Sequence, residues 1–278
     1  MKKHYVLGIV SLLILALFAT GCGNSAPASN TQSQTTVSRS TLEKVLKTKE
    51  LTVACALTFP PFGFKDEKGN PQGYDVDLAN ELADSLGAKL TIIDVTSANR
   101  IPYLETGKAD VVMADFTRTL ERAQKIDFTD PYVVAGETLL VKKGSGIKSV
   151  ADLSGKVVSV VKGGTGSIAV KKDCPDSTIR EFDTASDCVT AVKNGQADAF
   201  AEDSNLITYQ AKMNPELEEV GDSIVTLEYN AFGVNKNDQE WLNYMNLFVF
   251  EINRTGKNAE LYQKWFGKEL PFEINPGF

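Results

Sequence analysis

The sequence predicts an α/β protein of two similar lobes that share one cleft, and three observations carry that expectation. Apolar stretches with strand character alternate with amphipathic helical stretches along most of the chain, which is the pattern of largely parallel sheets. One strand-and-loop unit occurs twice. Glu105-Thr-Gly-Lys-Ala-Asp-Val-Val-Met-Ala-Asp115 matches Lys193-Asn-Gly-Gln-Ala-Asp-Ala-Phe-Ala-Glu-Asp203. Each copy has a helix stopping at a glycine (Gly107, Gly195), a short apolar strand and a closing aspartate (Asp115, Asp203). Ligands of open α/β sheets sit beyond the carboxyl ends of strands, so two such ends point to a common cleft. Lastly, Glu228 to Lys236 reads as a late strand that returns to the first lobe.

The chain begins Met1-Lys-Lys-His4, followed by an apolar run from Tyr5 to Ala19. That run is too short for a membrane span and has the flanks of an export signal. Small residues, Ala19-Thr-Gly21, lead directly into Cys22. This resembles the lipobox of bacterial lipoproteins, in which the cysteine is acylated after cleavage, although Ala19 stands where leucine is commoner. Residues 1–21 are therefore expected to be a lipoprotein signal peptide. Residues 22–40, rich in Ser, Thr, Asn, Gln, Ala and Pro, cannot bury a core and read as a flexible tether. The part from Thr41 onward is long enough for two lobes with proper cores.

Further elements follow in order. Leu51 to Leu57 is a strand, and Phe59-Pro-Pro-Phe-Gly-Phe64 a loop. Tyr74 to Leu86 is a helix whose Val76, Ala79, Leu82, Ala83 and Leu86 share a face. Asp75 and Asp77 suit its N-terminus and Gly87 its C-terminal cap. Leu90 to Val95 is a strand, Ile101 to Thr106 a short helix, and Val111 to Ala114 a strand that runs into a polar loop. Val133 to Lys142 is a long strand. Ser149-Val-Ala-Asp152 carries a capping box. Val157 to Val161 is a strand before the glycine-rich turn Lys162 to Ser167 and a helix. Thr178 to Phe182, a helix from Ala185 to Asn194 and the Ala199 strand continue the alternation, and Trp241 to Ile252 and Ala259 to Phe266 close the chain as helices.

Composition excludes several classes. The net charge of the chain is −7 with no basic run or stripe, so nucleic acid is not an expected partner. The one histidine, His4, lies in the signal. Without it there is no Ser-His-Asp or Cys-His catalysis and no histidine metal site, and no metal or cofactor is expected. Cys55, Cys174 and Cys188 follow Cys22 without Cys-x-x-Cys spacing. Outside the cytoplasm a Cys174–Cys188 disulfide, stabilising by roughly 3 kcal/mol, is allowed. Separate buried thiols are the alternative.

The loop after Val111–Ala114 opens onto a predicted helix containing Arg122. Unpaired N–H groups at such a helix start receive an anion, and an arginine there grips a carboxylate through two hydrogen bonds. Gly164-Thr-Gly-Ser-Ile-Ala169 fits G-x-G-x-x-A, with Asp183 at the end of the next strand. An exported protein meets no cellular dinucleotide pool, so these glycines read as a carboxylate cradle rather than a Rossmann fingerprint.

Gly73-Tyr-Asp-Val-Asp-Leu-Ala-Asn-Glu-Leu-Ala83, Phe59-Pro-Pro-Phe62, Thr119-Leu-Glu-Arg-Ala123, Asp127-Phe-Thr-Asp-Pro-Tyr132 and Lys264-Trp-Phe-Gly267 together resemble the family 3 solute-binding proteins that serve bacterial ABC importers of polar amino acids. The resemblance implies the two-lobed type II periplasmic-binding-protein fold with two chain crossings, near Leu140 and Ala231. Lobe one would comprise residues 41–140 and 233–278, and lobe two 141–232. It implies that Arg122, Thr117 and Thr165 hold a ligand α-carboxylate. Asp203 accepts from the α-ammonium, the Asp115 backbone assists, and Phe59 lies against the ligand side chain. Asp115 departs from the serine, glycine or asparagine usual there. The implied protein is a monomeric receptor, lipid-anchored on the outer face of the cell membrane. It captures an amino acid and delivers it to a permease.

Thr96-Ser-Ala-Asn-Arg-Ile-Pro102 resembles the segment of acidic-amino-acid binders in which the arginine meets the side-chain carboxylate, so Arg100 suggests glutamate or aspartate. Ala56 stands where basic-amino-acid binders carry an aspartate, which argues against a cationic ligand. Cystine or a small neutral polar amino acid such as glutamine is the next expectation. Cyclohexadienyl dehydratases share the fold, but Leu206 stands at their general-acid position and transfers no proton, so no enzymatic activity is expected.

Overall fold

The structure, a computed structural model, describes residues 40–270. The expected signal peptide, Cys22 and the expected tether up to residue 39 lie outside the described residues. The elements are α1 (Thr41–Thr48), β1 (Glu50–Cys55), β2 (Thr58–Phe59), β3 (Gly63–Lys65), β4 (Pro71–Gln72), α2 (Tyr74–Leu86), β5 (Lys89–Asp94), α3 (Arg100–Glu105), β6 (Val111–Val112) and β7 (Asp127–Lys142). They continue as β8 (Val157–Val161), α4 (Gly166–Asp173), β9 (Thr178–Phe182), α5 (Ala185–Lys193), β10 (Ala199–Asp203), α6 (Ser204–Met213), β11 (Leu217–Val234), α7 (Gln239–Arg254) and α8 (Lys257–Phe266).

Eight strands form one mixed sheet in the order β5-β1-β6-β11-β7-β10-β8-β9. At one end β1 pairs in parallel with β5 and β6. At the other, β8 pairs in parallel with β9 and β10. The centre is the antiparallel ribbon of β7 and β11, which serves both lobes. This makes the sheet mixed, and gives the two-lobed α/β architecture its two chain crossings.

The crossings fall earlier in the chain than Leu140 and Ala231. Leu140 already pairs with Phe200 of β10 in lobe two, and Ala231, already back in lobe one, donates its N–H to Phe116. The chain passes over between Ala135 and Glu137 and returns between Val225 and Glu228, where the register of the ribbon shifts.

β7 also starts six residues before the predicted Val133, because Pro131 is tolerated inside it. Its partner is Ala231, at a register irregularity, and proline lacks only the donor that such a site does not use. Strand period then sorts the core. On β8, Val158 and Val160 face a small cluster with Leu139, Val170 and Cys174, while Val161 faces the main core with Cys188 and Phe200. Cys174 and Cys188 thus lie on opposite faces of the lobe-two sheet. Both are free buried thiols, and the disulfide allowed by the sequence is absent.

Candidate functional site

The strand ends meet as the repeated unit predicts. Phe59, Ser97, Arg100, Ala114, Asp115, Thr117 and Arg122 from one side face Gly164, Thr165, Glu202, Asp203 and Glu228 from the other, around one small cleft. All seven predicted binding residues, Phe59, Arg100, Asp115, Thr117, Arg122, Thr165 and Asp203, line it. Glu202 and Glu228 line it too, and sequence reasoning missed them. A charged residue on a strand otherwise reads as solvated.

Arg122 is not on an α-helix. It opens a 3₁₀ turn of three residues, Arg122–Gln124, too short to present an anion site at its start. The guanidinium works alone: Nη1 donates to the Thr117 carbonyl (2.6 Å) and Nη2 to the Gly163 carbonyl (2.9 Å) across the cleft. Arg100 is buried and largely committed to main-chain carbonyls. Nε donates to Ser97, Nη1 to Ala114 and Asp115, and Nη2 to the same Gly163 oxygen at 3.1 Å. Burial, followed by the proximity of Arg122, lowers the Arg100 pKa to about 9. Phe116 underlies both cations, 4.3 Å from Arg100 and 5.0 Å from Arg122.

Asp115 adopts φ +44°, a left-handed conformation that glycine and asparagine enter most readily. This suits the glycine and asparagine found at that position, though not the serine. Its neighbours clamp it there. The Asp75 carboxylate accepts from the Asp115 N–H (2.9 Å), Arg100 donates to its carbonyl, and Asn230 Nδ2 donates to its side chain. Asp75 therefore does more than favour a helix start. Tyr132, stacked between Tyr74 and Phe232, donates its hydroxyl to the other Asp75 oxygen at 2.6 Å.

On the far side, Asp203 caps α6 through the Asn205 N–H (2.7 Å) and accepts from Asn230 Nδ2 (3.3 Å). Thr165 precedes α4 but makes no capping bond with its side chain. Its hydroxyl instead lies 2.5 Å from Glu137 Oε1 and 2.9 Å from Glu228 Oε2. Thr117 Oγ1 donates to the same Glu228 oxygen at 3.1 Å.

Burial dominates the electrostatics. It raises Glu202 to about 8, and Asp203 and Asp75 to about 7. It also holds Asp115 and Glu137 well above the usual carboxylate range. Among the described residues no group of three or more His, Cys, Asp or Glu side chains has a geometry that holds a metal ion. Leu206 is fully buried in the core and offers the cleft no proton donor.

A cation and two hydroxyls in a small cleft that also holds paired aspartates suit a zwitterion whose desolvation must be offset at both poles. Fold and site define a two-lobed receptor for small polar molecules. Residues 51–268 match the family model for bacterial extracellular solute-binding proteins, family 3, and the chain belongs to that family.

It is 34% identical over 278 residues to the ABC transporter glutamine-binding protein GlnH of Bacillus subtilis (strain 168), covering 98% of this chain and 100% of that protein. It is 35% identical over 224 residues to a glutamine-binding protein of Geobacillus stearothermophilus, with 77% and 85% covered. Among solved structures it resembles the ancestral amino acid-binding protein AncCDT-1, a precursor of cyclohexadienyl dehydratase. That match has a TM-score of 0.77 and 39% identity, and covers 82% of this chain and 100% of that one.

Proposed function

We propose that the protein is a membrane-tethered receptor that captures a neutral polar L-amino acid of the glutamine class and delivers it to an ABC permease. In this reading Arg122, Thr117 and Thr165 hold the α-carboxylate, and Asp203 and Asp115 hold the α-ammonium. Phe59 covers the side chain, and Glu202 accepts from its amide. The lobes close on the ligand and the permease recognises the closed form.

The charge of the lining carries the choice of ligand. Four carboxylates (Asp115, Glu202, Asp203, Glu228) face two guanidiniums. With Arg122 and Asp203 answering the two poles of the ligand, the lining leaves Glu202, its carboxyl pushed up to about 8 by burial, rather than a free cation for the side chain. Arg100, the cation expected to receive an acidic side chain, commits its donors to four main-chain carbonyls, where Arg122 meets two. Glutamate and aspartate, suggested by the Arg100 segment, therefore rank behind glutamine. The glutamine-binding relatives support the same choice. The test is calorimetry with the twenty amino acids on protein unfolded and refolded to strip bound ligand. Glutamine should bind at least tenfold more tightly than glutamate, on the order of 1.4 kcal/mol. A preference for glutamate would sink the assignment.

Tethering rests on the apolar run that ends at Gly21-Cys22. Full-length protein made in bacteria should partition into detergent and carry an acylated Cys22 by mass spectrometry. A soluble product cut elsewhere would refute it. No turnover is expected with prephenate or arogenate, and product above a no-protein control would overturn the receptor reading.

A further inference from the structure

Both polar ends of the cleft are already answered by side chains of this chain, and both come from one strand. Glu228 Oε2 accepts from Thr117 (3.1 Å) and lies 2.9 Å from the hydroxyl of Thr165. These are the two hydroxyls assigned above to the ligand α-carboxylate. Two residues on, Asn230 Nδ2 donates to Asp115 and to Asp203, the two carboxylates assigned to the ammonium. Residues i and i+2 of a strand project to the same face, so β11 offers an acceptor and a donor side by side. Glu228 stands right at the chain crossing.

We infer that Glu228 and Asn230 form an internal counter-ligand, a carboxylate on the two hydroxyls and an N–H₂ on the two aspartates, which an incoming ligand must displace. The inference rests on the amino-acid reading of the same site. It makes the pair determinants of specificity. A ligand that evicts Glu228 must bring its own acceptor to Thr117 and Thr165. One that evicts Asn230 must bring a donor to Asp115 and Asp203, or buried polar groups are left unpaired.

Hydrogen-bond counting supports displacement rather than a fixed role. Thr165 has one hydroxyl proton and lies within bonding distance of both Glu137 and Glu228. One of the two contacts therefore needs a proton on a carboxyl group. Fully buried Glu137, whose Oε2 has no partner among the described residues, is the group to carry it. It can then donate to Thr165 and leave the threonine proton free for whichever carboxylate occupies the cleft, that of Glu228 or that of the ligand.

The experiment compares wild type, Glu228→Ala and Glu228→Gln by calorimetry, using glutamine and its decarboxylated analogue 4-aminobutanamide. Glu228→Ala should bind glutamine about tenfold more tightly, the effect of one net hydrogen-bonded contact no longer to be broken. Its affinity for the amine, which leaves the carboxylate seat alone, should not rise. Glu228→Gln keeps the shape and should fall between wild type and Glu228→Ala for glutamine. Wild-type binding of glutamine with unchanged or weaker binding by Glu228→Ala would overturn the inference and leave the receptor reading intact. Equal gains for amine and amino acid would overturn it too. If neither wild type nor Glu228→Ala bound any amino acid, the receptor reading itself would fail and take the inference with it.

Discussion

Arg122 Nη2 lies 2.9 Å from the carbonyl oxygen of Gly163, so a side chain of one lobe holds the main chain of the other. Arg100 donates to the same oxygen. Gly163 has φ +81°, and a Cβ there would stand 2.8 Å from the backbone of Ala98. Gly163→Ala should therefore disfavour the closed form by ~1–3 kcal/mol, the cost of forcing a methyl against the facing backbone. Affinity for every ligand should fall by a common factor. Small-angle scattering of the ligand-saturated variant should report a larger radius than wild type.

The two arginines should fail differently. Arg122→Ala removes the cation opposite the ligand carboxylate and should cost on the order of 3 kcal/mol or more in binding, with a melting temperature near wild type. Arg100→Ala leaves the Ser97, Ala114 and Asp115 carbonyls without their donor. It should destabilise the fold by roughly 3–5 kcal/mol, a drop in melting temperature on the order of 10 °C for a chain of this size. Calorimetry beside thermal unfolding separates the two. A selective loss of acidic ligands in Arg100→Ala would restore the role that the sequence suggested for it.

Stability should fall as pH rises from about 5 to 8.5. Asp75 and Asp203 titrate at about 7 and Glu202 at about 8 in the folded protein, all raised first by burial. A carboxyl raised by folding is protonated in both states below about pH 4. There its contribution is fully present. It is lost as pH rises through the folded value, because the unfolded chain ionises more easily. Arg100, Arg122 and Asn230 face this cluster and limit the effect to several degrees in melting temperature. An ammonium placed against Asp203 reverses the shift, so ligand binding near pH 7 should release protons. Calorimetry in buffers of different ionisation enthalpy measures that release.

Reducing agent should leave the melting temperature unchanged. Cys55, Cys174 and Cys188 are buried free thiols, so a thiol reagent should label them only after unfolding. A reagent-resistant pair in the unfolded, non-reduced protein would contradict the structure.

Local chemistry made much of this molecule legible in the sequence. Tyr74–Leu86 closes on left-handed Gly87, and the Ser149 box forms with both of its hydrogen bonds. The duplicated unit brought Asp115 and Asp203 to one cleft because strand direction fixes where a strand end points. What stayed hidden depends on partners distant in sequence. Asp75 looks like any acid in a first helical turn until Tyr132 and the Asp115 N–H arrive 57 and 40 residues away. Glu228 reads as a strand charge until the ribbon brings it to Thr117, 111 residues earlier. The thiol pair failed for a geometric reason, since spacing along the chain does not reveal the face of a sheet.

The β7–β11 ribbon has a further consequence for how such a receptor diversifies. The crossings lie in the ribbon, and its irregular register is concentrated between Val220 and Gly233. Substitutions there that leave Glu228 and Asn230 in place adjust the energy of bringing the lobes together and act on all ligands alike. Changes at Glu202 or Phe59 act on one ligand against another. Tightness and choice can therefore be inherited as separate traits: a lineage can change its nutrient while keeping the same mechanical set point, or retune that set point while keeping its nutrient.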